Sequence, residues 1–276
     1  MKILAGIVTY NPDIELLERN IAAISPQVNE VIIVDNGSKN LKEIEQGISA
    51  KLIKLEENKG IAFALNIIGR YATENSFEWF MTLDQDTIVS NDIIGQYLRY
   101  IGLPSAGMLT SNYLNKSDQL MVTSKWNKGY SDFSEVPYCI TSASFVNTTA
   151  FQKTDGFDSK MFIDLVDYDM NFSLAKVGYL TYWINVLGFK HEVGEASVHK
   201  LFGFKISTSN HNPIRRYYLA RNGIYLLKKY KPKMNVLRLN VGNGIVFLKI
   251  LLFEKDKKKN LGAMLKGVKD GFGYRG

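Results

Sequence analysis

The segment FEWFMTLDQD, residues 77–86, decides the fold because a strand-like stretch runs directly into two carboxylates. Trp79–Leu83 has the character of a buried strand, and Asp84 and Asp86 follow it with one residue between them. Two carboxylates this close repel each other unless a cation lies between them. The segment therefore predicts a strand that ends at a cation-binding edge of a sheet.

Earlier strand-like runs also end in polar residues. These runs are ILAGIVTY, EVIIVDNGS and KLIKLEENKG, and they alternate with the helical patterns LLERNIAAI and IAFALNIIGRYA. The alternation predicts an α/β fold with a mixed, mostly parallel sheet flanked by helices. Ligands of such sheets bind outside the carboxyl ends of the strands. Neither G-x-G-x-x-G after the first strand nor G-x-x-x-x-G-K-[ST] occurs, which argues against an ordinary dinucleotide fold and a P-loop.

The composition indicates a globular protein without disulfides. The 276 residues are 46% hydrophobic, enough for a large core, and Cys139 is the only cysteine. One cysteine excludes an internal disulfide and a multi-cysteine zinc site, and it favours a cytoplasmic protein. The first apolar run stops at Asn11-Pro12, and Val241–Phe253 is shorter than the roughly 20 residues of a membrane span. We therefore expect no signal peptide and no spanning helix.

Charge is distributed unevenly along the chain. Residues 1–199 contain 16 Lys and Arg against 24 Asp and Glu, whereas residues 200–276 contain 18 against 3. We expect a catalytic domain over residues 1–200 and a basic helical segment over residues 201–276. The basic segment predicts contact with an anionic partner, either nucleic acid, phospholipid headgroups or a phosphorylated substrate. A solvated lysine-rich face is the alternative.

Three aspartates stand in positions that suit chemistry on a phosphorylated substrate. Asp84 and Asp86 form the hard oxygen pair that binds Mg²⁺ or Mn²⁺, although the same triplet also occurs at turns and helix caps. Asp167 enters a predicted helix that ends at Gly178, where backbone N–H groups can hold an ionised general base. Asp169, like Asp164, could take that role instead, and Asp167 could be a helix cap.

The order of these motifs resembles a known family. VTYN, VDNGS, NKGIAFALN, LDQD and FIDLVDYDMNFSLAKVGY look like the inverting glycosyltransferases of family two, which have a GT-A fold, over residues 1 to about 185. HEVGE and HNPIRRYYLARN resemble the branch that transfers L-rhamnose from dTDP-rhamnose to bacterial cell-surface polysaccharide. Where the family often has Glu-Asp, this chain has Val166-Asp167, which leaves the aspartate in place. Transfer from a UDP-hexose or another nucleotide sugar is the alternative.

The resemblance implies roles for individual residues. It implies an inverting, metal-dependent transfer, in which Asp167 is the catalytic base and Asp84 and Asp86 hold Mg²⁺ or Mn²⁺ next to the donor diphosphate. Similar transferases carry a histidine near this metal, which would be His191, although a structural histidine is the commoner case. The residues expected to bind the nucleotide sugar are Thr9, Asp35, Asn58, Gly60, Asn66 and Asp84.

Arginines in the HNPIRRYYLARN segment also suit phosphate. Arg215, Arg216 and Arg221 carry planar guanidinium groups that match phosphate oxygens. We expect them to bind the donor diphosphate or the diphosphate of a lipid-linked acceptor. The alternative is a surface helix whose apolar side packs on the catalytic domain.

The far C-terminus combines apolar residues with lysines. Phe247–Phe253 is followed by Lys255 and Lys257–Lys259, a pattern typical of a helix on an anionic bilayer. This predicts a peripheral protein at the inner face of the cytoplasmic membrane that meets a lipid-linked oligosaccharide acceptor. A homo-oligomer contact through the same apolar face is the alternative. A non-enzymatic nucleic-acid-binding protein is a remote third reading, because no nucleic-acid module is recognisable and we expect no nucleic-acid partner.

Overall fold

The computed structural model describes residues 1–115, 120–123, 131–191, 197–201, 204–208, 211–230, 234–254 and 256–273. The chain forms two compact units. The first contains Met1–Phe162 and Val166–Glu192, and the second contains Ile163–Leu165 and Val193–Gly276. The expected division after residue 200 lies close to the end of the first unit. No sequence pattern indicated that Ile163–Leu165 would belong to the second.

The elements alternate along the first unit as the sequence predicts. Its strands are β1 Ile3–Thr9, β2 Glu30–Asp35, β3 Lys51–Lys54, β4 Trp79–Asp84, β5 Ile88–Val89, β6 Ala106–Asn115, β7 Met121–Val122, β8 Phe133–Val136, β9 Ser144–Asn147 and β10 Leu180–His191. Its helices are α1 Ile14–Ile24, α2 Leu41–Gly47, α3 Ile61–Glu74, α4 Ile93–Leu98, α5 Thr148–Gln152 and α6 Val166–Lys176.

The strands of the first unit form one mixed sheet in the order β3-β2-β1-β4-β9-β6-β10-β5, with β7 on β6 and β8 on β10. The run β3-β2-β1-β4 is parallel, and β10 is parallel to β6. Strand β9 is antiparallel to both of its neighbours. The predicted α/β fold with a mixed, mostly parallel sheet is confirmed.

Both faces of β1, β2 and β4 are covered, which explains the continuous apolar runs in their sequences. Ile3, Ala5 and Ile7 of β1 belong to the core that also contains residues of α1, α2 and α4. On the opposite face, a side chain at Gly6 would meet Ile68 of α3 at 2.3 Å. Glycine therefore lets α3 approach β1 closely.

The second unit contains β11 Ser197–Leu201 and β12 Phe204–Thr208, which form an antiparallel pair, and the helices α7 Pro213–Lys229, α8 Met234–Phe253 and α9 Lys257–Gly273. Ala220, Ile250 and Met264, one from each helix, form its buried apolar cluster. In the described residues, every helix falls short of the length or the apolar character that crossing a bilayer requires.

Candidate active site

The ends of β1 and β2 place a threonine and a carboxylate side by side. Thr9 and Asp35 are register partners on the parallel strands, and Thr9 Oγ1 donates to Asp35 Oδ1 at 2.9 Å. Asp35 Oδ2 accepts from the backbone N–H of Ser38 at 2.9 Å. Both Thr9 and Asp35 are fully buried. These bonds fix the carboxylate at the carboxyl edge of the sheet.

The loop before α3 is held against this edge. Asn58 Oδ1 accepts from Asn36 Nδ2 at 3.1 Å and from the backbone N–H of Gly60 at 2.9 Å. Gly60 has a φ of +86°, and a side chain there would meet the carbonyl oxygen of Phe162 at 2.6 Å. Because only glycine fits this conformation and this contact, Gly60 sets the path of the chain where α3 begins.

Asp84, Asp86 and His191 form a cluster that could bind a metal ion. Each residue offers one ligand atom, and the three atoms lie within 4.8 Å of one another. His191 Nδ1 is 3.8 Å from Asp86 Oδ1. Two carboxylates and an imidazole suit Mn²⁺, and the carboxylates also suit Mg²⁺. The donor set fits the cation that the D-x-D motif predicts.

Backbone contacts hold the D-x-D motif in place. Asn20 Nδ2 donates to the carbonyl oxygen of Asp84 at 2.8 Å, and the backbone N–H of Tyr10 donates to Gln85 Oε1 at 2.8 Å. Asp84 is also the register partner of Val8 on β1. The motif is therefore tied to the strand that ends at Thr9.

Asp167 lies in the first turn of α6. Its Oδ1 accepts from the backbone N–H of Tyr168 at 2.9 Å, and Asn171 Nδ2 donates to its carbonyl oxygen at 2.7 Å. The positive end of the helix dipole stabilises a negative charge at this position. The Tyr168 ring stacks on Tyr138 with 4.0 Å between ring centroids. Burial, together with Tyr138 and the charge of Asp167, raises the pKa of Tyr168.

Residues 139–142 lie between Asp167 and the Asp84–Asp86–His191 cluster in the first unit. Ser142 Oγ is 2.5 Å from the hydroxyl of Thr87, the residue after Asp86. The carbonyl oxygen of Cys139 accepts from Asn171, one turn beyond Asp167. Three residues of chain span at most about 10 Å. The two groups of carboxylates are therefore anchored to nearby points of the first unit.

Cys139 is not available as a nucleophile. It is buried, and burial raises the pKa of its thiol to about 12, with a further contribution from the charge of Asp167. The thiolate is the reactive form of cysteine, and it is scarce at neutral pH when the pKa is this high.

Comparison with known proteins agrees with this geometry. The sequence model described as Glycosyl transferase family 2 matches residues 5–150, which include the strand ends and the D-x-D motif. The chain belongs to this family. The family-2 transferase is also 30% identical over 289 aligned residues to the dTDP-rhamnosyl transferase RfbF of Shigella flexneri, covering 97% of this chain and 95% of that protein.

Solved structures show the same fold at low identity. The family-2 transferase superposes on S. aureus TarS with a TM-score of 0.64 at 14% identity, over 97% of this chain and 49% of TarS. It thus spans about half the length of that protein. A structure of GalNAc-T7 with UDP, GalNAc and Mn²⁺ gives a TM-score of 0.59 at 13% identity, covering 99% of this chain and 56% of that one. The fold is that of GT-A transferases.

The structure gives two of the predicted binding residues other partners. Asn66 donates to the carbonyl oxygen of Phe157 at 2.6 Å and accepts from the backbone N–H of Phe157 at 2.8 Å. Arg216 is 1% exposed and forms an ion pair with buried Glu254. These contacts hold both side chains inside the fold, and their binding to the nucleotide sugar stays a prediction.

The other two predicted arginines also have contacts within the second unit. Arg215 Nη2 donates to Asp164 Oδ1 at 2.7 Å. Arg221 donates to Asn222 Oδ1 through Nε at 3.0 Å and Nη2 at 2.8 Å, and it lies over the ring of Tyr218. Their binding to a diphosphate stays a prediction. Residues 192–195 of the HEVGE motif and Lys255 lie outside the described residues.

Several supporting residues were not singled out from the sequence. Asn36 and Ser38 lie within the quoted VDNGS motif, so the motif itself carried the signal. Asn171 stands four residues after Asp167, a spacing that brings two residues together on a helix. Thr87 and Ser142 are in contact although they are far apart in the sequence, and no local sequence pattern predicts such a contact.

The histidine that opens the HNPIRRYYLARN segment makes folding sensitive to acid. Burial, then the charge of Arg215, lowers the pKa of His211 from 6.5 to about 4. Between pH 6.5 and pH 4, His211 is therefore protonated in the unfolded chain but not in the folded chain. The free energy of unfolding consequently falls as the pH falls from about 6.5 to about 4. After allowance for partial exposure we expect a loss of about 2 kcal/mol. Urea unfolding at pH 7.5 and pH 4.5 should show that His211→Asn loses less stability than the unmodified protein, and equal losses would contradict this assignment.

Proposed function

We propose that the protein transfers L-rhamnose from dTDP-rhamnose, with inversion, to a hydroxyl of a lipid-linked glycan acceptor in bacterial cell-surface polysaccharide synthesis. The observation that carries the proposal is the joint presence of the Asp84–Asp86–His191 cluster and Asp167 in a family-2 fold. The choice of donor is supported by the likeness to RfbF, whose name states dTDP-rhamnosyl transfer. The same arrangement with a UDP-hexose is the alternative.

Asp84, Asp86 and His191 would hold Mg²⁺ or Mn²⁺. Their ligand atoms are close enough to surround one ion, and carboxylate oxygens are the hard ligands that both ions prefer. When bound, the ion supplies positive charge that stabilises the diphosphate leaving group. The 3.4 Å contact between Thr87 Oγ1 and His191 Nδ1 helps orient the imidazole.

The remaining residues bind the donor and activate the acceptor. Thr9 and Asp35 would contact the base and ribose at the sheet edge, and the Asn58–Gly60 loop would flank the nucleoside. Asp167 would accept the proton of the acceptor hydroxyl as that oxygen attacks the anomeric carbon from the face opposite the nucleotide. One displacement inverts the configuration, and it requires no covalent nucleophile on the protein.

Release of nucleotide diphosphate tests the donor. Purified protein is incubated with dTDP-rhamnose, UDP-glucose or UDP-galactose, in the presence or absence of Mn²⁺. Water serves as the acceptor, and release of the nucleotide diphosphate is measured. We expect release from dTDP-rhamnose in the presence of Mn²⁺, and chelation of the metal should lower it by at least about 100-fold. Release from a UDP-sugar but not from dTDP-rhamnose would contradict the rhamnose assignment. The family membership would still stand.

The C-terminal helices support the proposed contact with a membrane. Val241, Ile245, Leu248 and Leu252 lie on one face of α8 and are each more than half exposed. Lys257, Lys258 and Lys259 follow at the start of α9 and are exposed. An apolar face beside lysines suits the surface of an anionic bilayer, where a lipid-linked acceptor would be found. A homo-oligomer through the same face is the alternative.

Charge reversal tests the membrane contact. Each lysine near an anionic surface contributes about 1 kcal/mol, so Lys257→Glu, Lys258→Glu and Lys259→Glu together should weaken binding to phosphatidylglycerol vesicles by at least about 100-fold. The matched control reverses Lys42, Lys153 and Lys176, which are exposed on the first unit. Co-sedimentation provides the measurement. Equal binding of both triple variants would contradict the membrane assignment, and a concentration-dependent change in mass would favour the oligomer.

A further inference from the structure

The segment Ile163–Leu165 belongs to the second unit, yet it leads directly into α6 and Asp167. Leu165 is two residues before Asp167 in the sequence. The segment is therefore joined directly to the first turn of α6.

The backbone of this stretch is in a conformation that it would not adopt unaided. Phe162, Asp164 and Leu165 have φ values of +62°, +64° and +63°. Positive φ is unfavourable for residues with a side chain, and bulky residues such as Phe and Leu seldom adopt it. Such conformations persist only when surrounding contacts impose them.

Asn222 of α7 supplies two of these contacts. Its Nδ2 donates to the carbonyl oxygens of Ile163 at 2.9 Å and Asp164 at 2.8 Å. Its Oδ1 accepts from Arg221, which fixes the orientation of the amide. Asn222 is fully buried, so truncating its side chain removes two bonds to buried carbonyl oxygens.

Arg215 supplies the third contact. Its guanidinium donates to Asp164 Oδ1 at 2.7 Å through Nη2 and at 3.3 Å through Nε. The Asp164 side chain is 11% exposed, which reduces the screening of this ion pair by solvent. Just before the segment, the backbone N–H of Ile61 donates to the carbonyl oxygen of Phe162 at 2.7 Å. Phe162, the first of the positive-φ residues, is therefore also held by a backbone bond.

We propose that Asn222 and Arg215 are positioning residues that hold Ile163–Leu165 so that Asp167 keeps the geometry needed to accept a proton. This rests on the proposed function, in which Asp167 is the base. Loss of these contacts lets the positive-φ residues relax, and a displacement of about 1 Å at a reacting group lowers the rate by about 100-fold. Donor binding should be unchanged in Asn222→Ala, because Asn222 acts through Asp167 and was not predicted to contact the donor.

The test separates kcat from donor KM. Release of dTDP from dTDP-rhamnose, with Mn²⁺ and with water as the acceptor, is measured for Asn222→Ala and for the matched control Asn240→Ala. Asn240 also lies in the second unit and donates to a backbone carbonyl oxygen of α7, that of Gly223, at 3.0 Å. We expect kcat of Asn222→Ala to fall about 100-fold with donor KM within about threefold of the unmodified protein. Asn240→Ala should keep its kcat.

The ion pair gives a second measurement that does not depend on the folding of Asn222→Ala. Arg215→Ala should lower kcat about tenfold, and Arg215→Lys, which keeps the charge, should recover part of it. A tenfold rise in donor KM with kcat unchanged would assign Arg215 to the diphosphate and overturn its positioning role. If Asp167→Asn abolishes release while Asn222→Ala retains full kcat, the positioning proposal fails and the proposed function stands. If Asp167→Asn retains release, the proposed base itself fails.

Discussion

Replacing Asp167 by asparagine should lower dTDP release from dTDP-rhamnose by about 1,000-fold, because a positioned general base contributes a factor of about 10² to 10⁴. Asparagine has nearly the shape of aspartate and can still accept the 2.9 Å bond from the backbone N–H of Tyr168. What it lacks is the ability to take up a proton. Affinity for dTDP, measured by calorimetry, should change by less than about threefold.

Asp13→Asn is the control for this substitution. Asp13 caps α1 and accepts from the backbone N–H of Leu16 at 2.9 Å, so it is another aspartate that accepts a backbone bond at a helix N-terminus, without the proposed chemistry. Asparagine and aspartate are about equally good caps, and this variant should keep full activity. Full activity in Asp167→Asn would refute the assignment of the base. Asp164 and Asp169, the alternatives in the same segment, would then be the residues to test.

Replacing Asp86 by asparagine should lower activity by about 100-fold to 1,000-fold and raise the Mn²⁺ concentration needed for half-maximal activity by at least about tenfold. The substitution removes one negative charge from the cluster with Asp84 and His191, whose ligand atoms lie within 4.8 Å of one another. A neutral amide oxygen is a weaker ligand than a carboxylate for a hard cation. The shift in metal requirement distinguishes this effect from a general loss of folding.

Asp92→Asn is the matched control, because Asp92 is exposed and stands six residues further along the chain, just before α4. It should show the Mn²⁺ dependence of the unmodified protein. An Asp86→Asn variant that keeps both its activity and its metal requirement would remove Asp86 from the metal site. The D-x-D motif would then be a turn and not a ligand pair.

Those parts of the fold that depend on local pattern could be predicted from the sequence. Continuous apolar runs that end in polar residues mark β1, β2 and β4, because both faces of these strands are buried. Parallel pairing of β1 and β2 is then enough to place Thr9 beside Asp35 at the strand ends. His191 joins Asp86 from more than a hundred residues away, and only the resemblance to a family pointed to it.

Other features could not be predicted because they depend on tertiary contacts. Phe162, Asp164 and Leu165 have positive φ, but the segment contains no glycine that would indicate such a conformation. The sequence therefore did not predict that Ile163–Leu165 belongs to the second unit. Arginine is seldom fully buried, and only the presence of Glu254 explains why Arg216 is 1% exposed. Asn66 lies in the NKGIAFALN motif, and its bonds to Phe157 become visible only in the folded chain.

The position of Mn²⁺ in crystals grown with dTDP tests the central claim most directly. Anomalous diffraction locates the ion without reference to any assumed ligand. We predict one peak coordinated by Asp86, with Asp84 and His191 as the other protein groups, in contact with the diphosphate and with the Asp167 carboxylate facing the same cavity. A peak elsewhere would contradict the proposed enzyme mechanism. An Asp167 carboxylate too far from the diphosphate to reach an acceptor at the donor sugar would contradict it as well.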